Sequence, residues 1–172
     1  MLSRLSCVSV PPGSTLDNPR EQNSFFMTTR TRPRWDKELI SQGNKFLERS
    51  ANGQNITSFH LEAGIAFWHS QKGGYPEKWL NILHHYDFLL QLNYSPVVAL
   101  NRIYAVYKAK GRDNALTELV NQPLPQNHFF FLLLGELYKV TDDKKARQNF
   151  EKALTLAGTK SEKQEIRKRY SH

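Results

Sequence analysis

At 172 residues the chain is long enough to bury a core and fits one domain or a little more. Hydrophobic residues at 39% and charged residues at 23% mark it as globular, and its densest apolar run, residues 129–134, falls far short of the roughly 18 residues a membrane span requires. The lone Cys7 excludes a disulfide framework or a cysteine zinc site, and the net charge of +8 permits contact with nucleic acid or an acidic protein face without selecting either.

Residues 1–33 are rich in Ser, Thr, Pro, Asn and Arg and show neither helical nor strand periodicity, which predicts an unstructured or non-native segment. Pro11, Pro12 and Gly13 interrupt the opening residues before a signal-peptide core develops, so a cytoplasmic location is expected. From Arg34 the pattern becomes helical. Leu39, Phe46 and Leu47 fit one face of a first helix, which should stop where Asn52-Gly53 signals a turn. A second helix carries Phe59, Ala63, Ala66 and Phe67, with Leu61, Ile65 and Trp68 on the adjoining stripe, and Gly73-Gly74-Tyr75-Pro76 ends it. A third places Trp79, Ile82, Leu83, Tyr86 and Leu90 at helical spacing.

Ser95-Pro96 then opens a fourth helix, with serine as N-cap and proline in the first turn. It runs through Ile103, Val106 and Tyr107 to Gly111, a C-cap candidate. Ala115, Leu116 and Leu119 give a short fifth helix, and the run 121–125, with Pro123 and Pro125, breaks it. Helix six is expected over 127–140, helix seven over 142–157, and a charged eighth closes the chain. Nothing alternates with period two for long enough to form a strand. The expected fold, residues 34–172, is all-α: antiparallel helical hairpins stacked as a tetratricopeptide-like right-handed solenoid or bundle.

Phe131, Leu134, Gly135 and Tyr138 stand at the first-helix spacing of a tetratricopeptide repeat, and Ala146, Phe150 and Ala153 at the second-helix spacing. The small Gly135 and Ala146 let two helices approach, while Phe131, Tyr138 and Phe150 fill the space around the crossing. Any tight helical hairpin wants small residues there, so a generic bundle is the alternative. Trp79, Leu83 and Tyr86 with Ala99 and Ile103 read as a degenerate second copy.

Catalytic chemistry finds no footing. His84-His85 points two imidazoles about 100° apart on a helix, His60 and Glu62 occupy different faces, and no His pair has the spacing of a zinc hydrolase. Gly73-Gly74 lacks the lysine and hydroxyl of a phosphate loop, and Asp142-Asp143 is helix N-terminal chemistry. No enzyme, cofactor, metal or small-molecule substrate is expected. Lys160, Lys163, Arg167, Lys168 and Arg169 interleave with Glu162 and Glu165 as on a solvated helix face, which argues against specific DNA binding. Tyr75 and Tyr94, beside loops, are candidates for either partner contact or hairpin packing.

Trp35-Asp36, the run from Phe59 through His60, Leu61, Glu62, Ala63, Gly64 and Ile65 to Ala66, and Tyr86-Asp87 resemble a bacterial domain. So, most specifically, do Ser95, Pro96, Val97, Val98, Ala99, Leu100, Asn101 and Arg102, and near the end Leu154, Ala157 and Gly158. Together they resemble the tetratricopeptide-like C-terminal extension of extracytoplasmic-function sigma factors, over about residues 34–170. The resemblance implies a regulatory protein-contact module whose partner is the sigma-factor core domains or RNA polymerase. The two core sigma domains have no counterpart before Trp35, so the chain alone is not expected to recognise promoters. A free-standing helical-repeat adaptor binding a peptide or protein is the alternative.

Family members usually reach the tryptophan through a stretch such as Tyr-Asp-Asp-Gln-Asp-Arg. Coded as TAT GAC GAC CAG GAC CG and read one base later, that stretch becomes Met-Thr-Thr-Arg-Thr, which is Met27-Thr28-Thr29-Arg30-Thr31 here. This suggests that residues 1 to about 32 are translated out of frame, the alternative being a native divergent N-terminus. A family-like peptide in the other reading frame is the expected signature.

Overall fold

A computed structural model describes residues 37–50, 56–71 and 77–171. The expectations for residues 1–33, Trp35-Asp36, Asn52-Gly53 and Gly73-Gly74-Tyr75-Pro76 lie outside the described residues, as do the side chains of Phe46 and Leu47. The elements are α1 (Lys37–Ser50), α2 (Ser58–Ser70), α3 (Lys78–Leu92), α4 (Pro96–Lys110), α5 (Arg112–Asn121), α6 (His128–Tyr138), α7 (Asp143–Leu156) and α8 (Lys160–Tyr170). No strand occurs among the described residues, and the fold is the expected all-α stack of antiparallel hairpins.

Local chemistry explains the helix ends. Asn127 caps α6, its side chain accepting from the Phe129 and Phe130 amides at 3.1 Å each. Asp142 caps α7 through Lys145 N–H, and Thr159 with Glu162 forms a capping box on α8. Gly111 has φ +93°, a backbone region that L side chains rarely adopt; it ends α4 and starts α5 without an intervening loop. Ser95 holds the expected N-cap position, but through its backbone alone. That backbone is extended and Pro96 opens the helix, while the serine hydroxyl makes no cap hydrogen bond. Its main-chain carbonyl alone serves the helix, accepting from Ala99 N–H at 2.9 Å.

Each helix packs on its neighbours in sequence, α6 and α7 most closely, and α4 also reaches forward to α6. The core runs continuously through α2 to α8, with Ile82, Leu100, Ile103, Val106, Leu119, Leu133, Phe150 and Ala153 all but inaccessible to solvent. On α2 the buried face is Leu61, Gly64 and Ile65, with Trp68 beside it, while Phe59 is 73% exposed. The stripe through Phe59 is therefore the outer one. Periodicity cannot rank two adjoining apolar stripes on one helix, which is why the sequence pattern did not separate them.

Candidate protein-contact surface

Two of the segments that carry the resemblance, Tyr86-Asp87 and Ser95 to Arg102, meet in space. Arg102 on α4 donates from Nε to Asp87 Oδ1 on α3 at 2.5 Å and from Nη1 to Glu118 on α5, tying three helices together. Burial opposes the charge on the guanidinium, but hydrogen bonds and attraction from both carboxylates win and hold its pKa above the ordinary value. Tyr86, the neighbour of Asp87, is buried; desolvation, reinforced by Glu62, pushes its phenol well above the usual range. Val97, Ala99, Leu100 and Asn101 are buried, and Ser95, Pro96 and Val98 half-buried. On α2, a Cβ built on Gly64 would overlap the ring of His85, whose Nδ1 pairs with the Asn81 carbonyl at 2.6 Å. The family-like residues are thus architectural rather than a patch of free side chains.

In the hairpin of α6 and α7 the helices approach closely at Gly135. A Cβ on Gly135 would lie 2.9 Å from Phe150, and Ala146, Phe150 and Ala153 are buried against α6. Phe131, Leu134 and Tyr138 lie at the margin of the core, half-buried, because Phe129, Phe130, Leu132, Leu133 and Leu137 take the deepest face. Two lysines of α7 stand over the marginal rings: Lys152 Nζ is 5.3 Å from the Phe131 centroid, and Lys145 Nζ is 5.3 Å from that of Tyr138. Beside Phe131, a groove of about 610 Å³ is lined by Gln148, Glu151, Lys152, Thr155 and Leu156 of α7. Leu156 is 49% exposed. Sequence reasoning missed both this arrangement and the Arg102 pairs.

A further aromatic row runs from buried His69 through Trp79 and Tyr104 to Tyr107, with ring centroids 5.6, 5.9 and 6.0 Å apart in sequence; Lys108 lies over the last three. The histidines are dispersed. His60 accepts from the Thr57 amide at the start of α2, His84 is exposed, and His128 stacks on Phe129 at 3.8 Å. Among the described residues no group of three His, Cys, Asp or Glu could hold a metal ion. Tyr94 is 60% exposed, and Tyr75 lies outside the described residues.

The basic stretch of α8 is partly consumed in packing. Arg169 reaches Glu165 at 3.5 Å and Glu136 on α6 at 3.7 Å, Lys168 reaches Glu165 at 3.9 Å, and Lys139 donates to the Arg169 carbonyl. Ile166 is buried and Tyr170 lies 5.5 Å from the Phe150 ring, so α8 is a docked helix with Lys160 and Arg167 on its exposed side. No helix among the described residues is long and apolar enough to cross a membrane.

Among known proteins, the chain is similar to an uncharacterized protein of Rhizobium meliloti (strain 1021), 30% identical over 143 residues. That match covers 80% of this chain, which spans about a third (34%) of the relative's length. No family model matches the chain, and no solved structure does.

Proposed function

We propose that residues 34–172 are a regulatory protein-contact module of the kind carried at the C-terminus of extracytoplasmic-function sigma factors. The module acts in the cytoplasm, through contact with sigma-factor core domains or RNA polymerase, and performs neither catalysis nor promoter recognition by itself. The observation that carries this reading is the Asp87–Arg102–Glu118 cluster. It joins the Tyr86-Asp87 and Ser95 to Arg102 segments, where the likeness to that extension is densest, and gives their pairing a physical reason. Similarity to about a third of a longer bacterial protein also fits a module that works attached to other domains.

The test is capture by the immobilised full chain of purified core RNA polymerase, and separately of the core domains of an extension-bearing sigma factor. Retention of either at physiological salt is the expected result. If both pass through, the sigma-factor reading fails and a free-standing adaptor replaces it.

A further inference from the structure

We propose that the seam between α6 and α7 is the contact surface of this module, and that its occupant is an acidic peptide segment bearing an aliphatic side chain. The proposal rests on reading the chain as a protein-contact module, but not on the partner being a sigma factor.

Antiparallel packing sets Phe131 opposite Lys152 and Tyr138 opposite Lys145, with half-buried Leu134 between the two rings. The seam is therefore a strip of aromatic and aliphatic surface with an ammonium group over each end. The groove beside Phe131, lined also by the exposed Leu156, is large enough for an aliphatic side chain, and apolar surface dominates its walls. An anchor of this kind supplies affinity by displacing water from a concave apolar surface.

Charge selects the class of partner. The exposed face of α7 carries Lys144, Lys145, Arg147 and Lys152 against Asp143 and Glu151. Arg147 is held by Asp143 at 2.8 Å and Lys145 by Asp142 at 3.5 Å. Lys152 makes no ion pair among the described residues and spends its charge on the Phe131 ring. An ammonium held only by a ring quadrupole transfers readily to a carboxylate, because the charged partner is the stronger acceptor. A carboxylate one turn from the anchoring aliphatic residue would draw Lys152 off Phe131 and open the ring for contact. Glu151, at the groove wall, repels a carboxylate placed on its own side and so orients the segment toward Lys152.

The probe is a fluorescein-labelled twelve-residue peptide of Glu and Asp with two central leucines, read by fluorescence anisotropy against the full chain. Its controls are the same peptide with Gln and Asn in place of the acids, a Lys-rich counterpart, and a single-stranded oligonucleotide of equal charge. The acidic peptide should bind. Lys152→Glu, on the surface, should weaken it at least tenfold and strengthen the Lys-rich peptide, while Phe131→Ala should weaken the acidic and amide peptides together. An unchanged affinity in Lys152→Glu overturns the proposal, as does failure of the acidic peptide to bind or tighter binding of the oligonucleotide. Peptide binding without capture of polymerase or sigma domains would retain this surface and discard the sigma-factor partner.

Discussion

Two glycines make close packing concrete, and they differ in what opposes them. At Gly64 the obstacle is the His85 imidazole, the end of a side chain on a half-buried position that can swing away at the cost of its bond to the Asn81 carbonyl. At Gly135 the obstacle is the edge of Phe150, a ring that is 1% exposed and has no free volume to retreat into. Overpacking a filled core costs about 1–3 kcal/mol. Gly135→Ala should therefore lower the melting temperature clearly, and Gly135→Leu further, while Gly64→Ala should lower it less. Equal stability of Gly135→Ala and the parent would mean that α6 and α7 do not cross there. Arg102 teaches a related lesson. Its importance lay in the opposition of Asp87 and Arg102 about the boundary between Tyr94 and Ser95, from which they are equidistant. An antiparallel hairpin brings such residues together, so the pair was legible in principle from charge and turn position. Glu118 was legible in the same way, since it and Arg102 are equidistant from Lys110, where Gly111 turns α4 into α5.

At the scale of the helix, the termini separate what spacing can determine from what only geometry can. Ser95-Pro96 reads as a capped start, and the helix does start there, but the serine oxygen accepts no amide. A serine at N-cap is a statistical preference; the bond requires a side-chain rotamer that the local packing selects. Asn127, by contrast, accepts from two amides. Loss of a working cap costs about 0.5–2 kcal/mol, so Asn127→Ala should destabilise by that amount and Ser95→Ala by little. Chemical denaturation of the two variants checks the ranking, and the reverse order would place the α4 cap bond on Ser95 after all. The same limit governed the faces. In helices with clear punctuation and sparse apolar residues, such as α5 and α7, the buried positions stood out: Ala115 and Leu119 at helical spacing, and Ala146, Phe150 and Ala153 at the repeat-like spacing. In α2, which carries two adjoining apolar stripes, and in α6, apolar almost all round, the deep face was settled by which neighbours each helix meets. That is why Phe59 lies outside the core and why Phe131 and Tyr138 sit at its edge.

For the molecule as a whole, mirror pairing repeats. Gly64 and His85 are equidistant in sequence from the boundary of Gly74 and Tyr75, and Phe131 and Lys152 from that of Thr141 and Asp142, so the facing residues of α2 with α3 and of α6 with α7 follow from their distance to each midpoint. What closes the stack is α8, and its docking contains a titratable contact. His128, at the start of α6, places Nε2 3.7 Å from Glu162 Oε1, while Glu162 also accepts from the Gly158 and Thr159 amides at 2.9 Å each. Burial lowers the His128 pKa below its ordinary value, with attraction to Glu162 too weak to reverse it. Burial tends to raise Glu162, but its amide bonds and His128 outweigh that and lower it. In both cases the unfolded chain binds protons more readily than the folded one, so stability rises with pH through each window. The His128 contribution is intact above the ordinary imidazole value of about 6.5 and is lost as pH falls from there toward the depressed folded value. The Glu162 contribution is lost only below the ordinary carboxylate range. Thermal melts between pH 7.5 and 5 should therefore show a decline that begins near the imidazole range, accompanied by faster amide exchange in the first turn of α8. His128→Phe keeps the ring stacked on Phe129 and removes the titrating nitrogen, so it should flatten the decline. If the variant and the parent lose stability in parallel over that range, His128 is not the group that couples α8 to pH.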